Sequence, residues 1–335
     1  MPLYGLIFIT AILPSVLLTA FFLAHFRRRL GQALGLWAFV LGIASAAVAI
    51  ALATFLLRVT PVPGILLMGG PRAALIAAAV ESALGAAIPE EVAKFLVLWF
   101  VIRRSRACDS GGDLFCSAIL VGLGFAAIEN VLYLFHAGSD WVVVGLIRGL
   151  MSVPGHTIDG MFMGYFLALW WRRTLSTPLA LALALVLPML AHGLYDFPLM
   201  AIDGLRETAG GDIIDLYVSL RYLQLGVLAF SGLAAIWVAR QELVLVYSDA
   251  TPDGDLYLGD ETQLGRWRWV GRVLSLAGIL ALGVGVLAWS QGEPDGYFLV
   301  GLAMFPLAFG RIMRLRPPAR ITNPHALHPT ALARD

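Results

Sequence analysis

Charge is what this chain has least of. Asp, Glu, Lys and Arg make up only 13% of its 335 residues, whereas 59% are hydrophobic, and the mean hydropathy is +0.83. A water-exposed globular surface takes about 25% charged residues, so an ordinary soluble domain is excluded. Lys+Arg total 23 against 22 Asp+Glu. With no basic cluster interleaved with aromatics, nucleic acid is excluded as a partner. Cysteine is almost missing: Cys108 and Cys116 are the only two. They are too sparse for a zinc ribbon and, beside an arginine-rich loop, are expected to be reduced and unpaired. Neither a G-x-S-x-G elbow nor an H-E-x-x-H helix occurs, so the common serine-hydrolase and zincin arrangements are absent.

What fills the chain instead is a series of apolar runs, each long enough to cross a bilayer at roughly 17–25 residues. The fold class expected is all-α, a polytopic transmembrane helical bundle of about nine spans, near 3–25, 33–57, 73–102, 114–135, 141–171, 177–201, 213–239, 270–290 and 296–312. The first run lacks a positive n-region and is followed by Arg27, Arg28 and Arg29, which predicts an uncleaved helix with its N-terminus outside. On that orientation "RRRLGQ", "RRSRACDSGGD", "WRRTLS", residues 240–269 and the tail "RIMRLRPPAR" are cytosolic. The arginine-poor or acidic "VTPVPG", "HAGSD", "IDGLRETAGGD" and "QGEPDG" are outside, as the positive-inside rule requires. The expected organisation is two N-terminal spans (1–72), a four-helix core (73–201), span seven (202–239), a polar cytosolic loop (240–269), and two C-terminal spans with a basic tail (270–335). An integral protein of a plasma membrane, such as the bacterial inner membrane, follows.

Four adjacent spans, the third to the sixth, each carry ionisable residues at similar depth. The third holds Glu81, Glu90, Glu91 and Lys94, with the last three in "IPEEVAKFLVLW". The fourth holds Glu129, the fifth Arg148, His156 and Asp159, and the sixth His192 and Asp196. A charge near the bilayer centre costs roughly 2.5–3.5 kcal/mol on insertion scales, so packing alone is a poor reason for such a cluster. Single members have bland explanations. Glu90 and Lys94 can pair at i, i+4, Arg148 can snorkel outward, and one histidine can simply bridge helices. The collective placement is harder to dismiss. Glu90 lies about 12 residues from the cytosolic end of its span, and Glu129, His156 and His192 about 15 each, a common layer roughly 18–23 Å deep.

Spacing adds detail. His192 and Asp196 share a helix face, so the carboxylate can orient the imidazole. Arg148, His156 and Asp159 fall within a stripe roughly 80° wide. Pro154-Gly155 is expected to break or widen the fifth helix, and Pro89 the third. Glu90 and Glu91 cannot both ionise cheaply unless Lys94 neutralises one. Such groups suit hydrolysis, in which a glutamate takes a proton from water and histidines steady the oxyanion. A metal would be a variant of this chemistry, with Glu129, His156 and His192 as candidate ligands. They also suit a proton- or ion-coupled transporter, or a scaffold that the polar groups merely glue. An aspartyl pair of Asp159 and Asp196, and a serine route through Ser152, are weaker options.

The order "EEVAK" (90–94), "FAAIENVLY" (125–133), His156, then "HGLYD" (192–196) resembles the PrsW family of intramembrane proteases, with E-E-x-x-K, F-x-x-x-E-N-x-x-Y and H-x-x-x-D in consecutive helices. That family is distantly similar to the CAAX-prenyl endopeptidase and bacteriocin-processing superfamily. The resemblance spans residues 73–201. It implies peptide hydrolysis within the membrane, typically of single-span proteins such as membrane-bound anti-sigma factors, with Zn2+ as the cofactor if the metallopeptidase classification holds. It also implies Glu90 or Glu91 as general base, Lys94 as its charge partner, and His192 with Asp196 as the oxyanion-holding pair. Glu129 stands where the CAAX-type relatives place a histidine, and His156 is the additional histidine of the PrsW group. Residues beyond 240 have no counterpart in these motifs.

Overall fold

A computed structural model describes residues 2–25, 32–60, 64–65, 68–208, 214–248, 261–291 and 295–315. Among them there is no strand; the chain is a bundle of helices. These are α1 (Pro2–His25), α2 (Gln32–Val59), α3 (Gly70–Val80), α4 (Ile88–Phe100), α5 (Gly111–His136), α6 (Trp141–Leu150), α7 (Ser152–Trp171), α8 (Thr177–Thr208), α9 (Ile214–Ser248), α10 (Glu261–Ser290) and α11 (Asp295–Ile312). Seven helical stretches among the described residues are long and apolar enough to cross a membrane, α6 and α7 together making one of them. The other two of the nine expected spans are the charged α3–α4 segment and the shorter α11.

Proline decides where the site-bearing helices change course. A proline ring clashes with the carbonyl four residues back, which for Pro154 is that of Leu150. The fifth expected span therefore breaks at Met151, just ahead of the proline, and α7 restarts with Pro154 in its first turn, where no amide donor is required. Around Pro89 the chain widens instead. Residues Glu81–Ala87 form a π-helical turn, and the Ile88 N–H reaches back to the Ala83 carbonyl before α4 begins. Glu90 and Glu91 thus lie in the first turn of α4.

Centrally, α5 is buried along most of its length. It can be approached closely because it carries glycine where neighbours cross. A Cβ on Gly124 would collide with the Phe39 carbonyl of α2, and one on Gly122 would sit 2.5 Å from the His156 carbonyl of α7. Close backbone contact through small residues is how helices associate where water supplies no driving force. Here it sets α7 against α5 at the height of His156. The α10–α11 pair is packed through its own glycines, such as Gly271 and Gly310, and lies against α9 and α1.

One segment differs from expectation. The polar stretch 240–269 was expected to be a loop throughout, yet α9 continues to Ser248 and α10 begins at Glu261. "RQELVLVYS" contains neither glycine nor proline, and the first breakers come at Pro252 and Gly254. Residues 249–260, and the tail from 316, lie outside the described residues.

Candidate active site

Five helices, α4 to α8, bring their ionisable groups together. Lys94 donates from Nζ to Glu91 Oε1 at 2.7 Å, stands 3.7 Å from Glu90 Oε2, and lies 3.0 Å from His156 Nδ1. An ammonium can only donate, so Nδ1 of His156 is the acceptor. Its Nε2 carries the proton and donates to Glu129 Oε2 at 2.7 Å. The same Glu129 oxygen accepts from Arg148 Nη2 at 2.7 Å. Phe125 closes this corner, its ring 4.2 Å beneath the Lys94 ammonium.

His192 joins the two halves of the cluster. Its Nδ1 is 3.0 Å from Glu91 Oε1 and 4.0 Å from Asp159 Oδ2. Its Nε2 is 3.2 Å from Asp196 Oδ2 and 3.9 Å from Glu90 Oε2. Carboxylates face both ring nitrogens, so two donated bonds at once require the imidazolium. The His156 and His192 rings meet edge to face, 5.3 Å apart.

The two glutamates are not equivalent. Glu91 is 0% exposed and holds Lys94 and His192 on one oxygen, whereas Glu90 is 13% exposed and lines a polar cavity of about 300 Å³. That cavity is also bounded by Glu129, Arg148, His156, His192 and Asp196. Glu90 Oε2 and Glu91 Oε2 are both buried and without a hydrogen-bond partner among the described residues. Buried polar atoms are nearly always paired, so two orphaned oxygens in one cluster call for a functional explanation.

Every residue expected at the site is in this constellation: Glu90, Glu91, Lys94, Glu129, His156, His192 and Asp196. Glu81, in the π-helical turn, is outside it. Arg148 does not snorkel. It points inward, stacks 3.7 Å from the Tyr133 ring centroid, and donates to Asn130 Oδ1 at 2.8 Å and Ser152 Oγ at 3.0 Å. Its common stripe with His156 and Asp159 was the available signal. Asp159 and Asp196 face different nitrogens of the intervening His192 ring, so they do not form a facing aspartyl pair.

Glu90, Glu91, His156 and His192 each offer a ligand atom, and those atoms lie within 4.8 Å of one another. Carboxylate and imidazole ligands, with two oxygens unpartnered, fit a divalent cation. Glu129, expected among the ligands, is not in this group because Arg148 and His156 already hold it.

A family model described as PrsW family intramembrane metalloprotease matches residues 32–230, over half of the chain. This chain belongs to the PrsW family. The match is wider than the motif-bearing stretch 73–201 and takes in α2 and the first half of α9 as well. "Protease PrsW" of Oceanobacillus iheyensis is 36% identical over 118 residues, 35% of this chain and 54% of that protein. The Geobacillus kaustophilus protein of the same name is 32% identical over 123 residues, 37% of this chain and 53% of its own. A Mycobacterium tuberculosis protein named as an uncharacterized transporter is 35% identical over 97 residues, 28% of this chain and 22% of its own. The chain thus spans about half the length of the PrsW relatives it matches. No solved structure matches it.

Proposed function

We propose that this PrsW-family chain is an intramembrane endopeptidase, hydrolysing peptide bonds of membrane-embedded or membrane-proximal substrates with water held in the polar cavity. The observation that carries this is Glu90 at the cavity wall, 13% exposed while Glu91 is wholly buried, beside an imidazole buttressed by Asp196. Glu90 takes the proton of the attacking water and passes it to the leaving amine, as general acid–base catalysis requires. His192 presents its Nε2–H on the side of Glu90 and Asp196 and steadies the oxyanion. Glu91 does not meet the substrate; its role is to fix Lys94 and His192. Glu129 and Arg148 hold His156 in the tautomer whose Nδ1 faces Lys94.

Zn2+ suits the Glu90, Glu91, His156 and His192 donors, and when bound would make water more acidic and polarise the scissile carbonyl. The Lys94 ammonium competes with it for three of those four groups, so metal content measured on purified protein tests this assignment. On this reading residues 73–201 are the catalytic unit, the N-terminus lies outside and the C-terminus in the cytosol. The partner is a single-span membrane protein of the anti-sigma factor kind.

Glu90→Gln should abolish cleavage of a co-expressed single-span substrate while the protein still accumulates in the membrane. Normal cutting by that variant would refute the reading. The transporter-named relative supports a second reading, in which the same groups relay protons. Solute flux in proteoliposomes stopped by Glu129→Gln, with no product peptides, would establish it instead.

A further inference from the structure

A second cavity, of about 450 Å³, adjoins the polar one and has the opposite character. Leu17 and Leu18 of α1, Leu150 and Pro154 at the α6–α7 break, Leu274 of α10 and Phe309 of α11 are among its walls. Its size is that of a ligand pocket. Phe305 of α11 lines both cavities and is itself 2% exposed, so a single aromatic ring stands between them. The broken helix contributes to the partition too. Arg148, Ser152 and Gly155 face the polar side, whereas Gly149, Leu150 and Pro154 face the apolar side. Helices α10 and α11 lie beyond residue 230, outside the stretch that matches the family.

We propose that the apolar cavity receives the bulky apolar side chains flanking the scissile bond of a membrane-spanning peptide, and that Phe305 and the α10–α11 hairpin set this chain's cleavage preference. The assignment rests on the peptidase reading above. The Phe305 wall shared with the polar cavity favours a peptide over a lipid tail. A peptide with its carbonyl beside Glu90 places neighbouring side chains directly across Phe305, whereas an acyl chain brings nothing for the polar half to hold. An apolar pocket discriminates by how much of it a side chain fills, so the preference should favour large aliphatic residues over alanine.

The test uses two model single-span peptides that differ in a central window, leucines in one and alanines in the other, reconstituted with the full chain. The unaltered protein should cut the leucine-window peptide faster. Leu274→Trp, which fills the cavity, should lower that preference by about tenfold or more, and Phe305→Ala should change it again by merging the two spaces. Val270→Phe, on the same wall, replaces Leu274→Trp if the latter fails to accumulate. A second readout needs no activity. A photo-reactive leucine in the window should crosslink to α10 and α11 in the Glu90→Gln protein, and Leu274→Trp should abolish the crosslink. Cleavage with an unmoved preference, or crosslinks only to lipid, would overturn the pocket. Crosslinking to the hairpin with no cleavage of either peptide by the unaltered protein would count against the peptidase reading and leave the pocket standing.

Discussion

Two groups of buried charges share this bundle and are built on different plans. Near the far end of α7, Arg172 reaches Glu242 of α9 through a two-pronged contact, Nη1 to Oε1 at 2.8 Å and Nη2 to Oε2 at 3.1 Å, with the carboxylate wholly buried. Both oxygens are satisfied, in the fork geometry that makes an arginine–carboxylate pair strong. Around Glu90 and Glu91 there are more charges and less closure. Lys94 and His192 share one Glu91 oxygen, other contacts stretch to 3.7–4.0 Å, and Oε2 of each glutamate has no hydrogen-bond partner among the described residues. The first arrangement ties helices together. The second leaves buried acceptors without hydrogen bonds and sets Glu90 beside a cavity, which is costly for stability and useful for chemistry.

The difference can be attacked from both sides. The largest effect is expected at the open cluster. Glu90→Gln should lower cleavage by about 10²–10⁴-fold with the thermal unfolding midpoint in detergent nearly unchanged; equal losses of both would make Glu90 a structural residue. Glu242→Ala should do the reverse, costing about 3–5 kcal/mol because a buried guanidinium loses its two-pronged carboxylate partner, while turnover per folded molecule stays level. Adding Arg172→Leu should recover much of that loss in the same melting assay.

Arg148 stands between the two plans, since it orders Glu129 while lining the cavity. Arg148→Lys keeps the charge but cannot reach Glu129, Asn130 and Ser152 together. The expected result is a fall of about ten- to a hundredfold in kcat with KM little changed, and a change in KM alone would mean that it binds substrate instead.

The smallest effect lies outside the membrane. Burial, followed by the charges of Asp113 and Asp109, pushes the Cys108 thiol up to about 12. The thiolate is the reactive form, so alkylation of Cys108 should be slow at neutral pH and should keep rising well past pH 9. A plateau near pH 9 would show that the loop does not bury it.

Much of this organisation was legible in the chain itself. The charge scarcity and apolar runs define a helical membrane protein, and the motifs at 90–94, 125–133 and 192–196 mark the helices that meet. Pro89 and Pro154 mark where those helices widen or break, although the break falls at Met151 because the proline ring acts on a carbonyl four residues back. Arg148 was harder to assign. An arginine near a span's end can reach water or turn inward, and only the position of Glu129 on a neighbouring helix decides between them. The extension of α9 through Glu242 was obscured by the polar residues 240–242, whose buried carboxylate Arg172 at the end of α7 neutralises.

Local sequence therefore determined the solvent this protein lives in and the points where its helices yield, since both depend on composition and short-range backbone sterics. Tertiary structure alone decided which of two adjacent glutamates faces the cavity, because neighbours on a helix diverge by about 100° and packing sets which direction is inward. It also brought Phe305 to the edge of a site whose other members lie between residues 86 and 231, a meeting that no local pattern encodes.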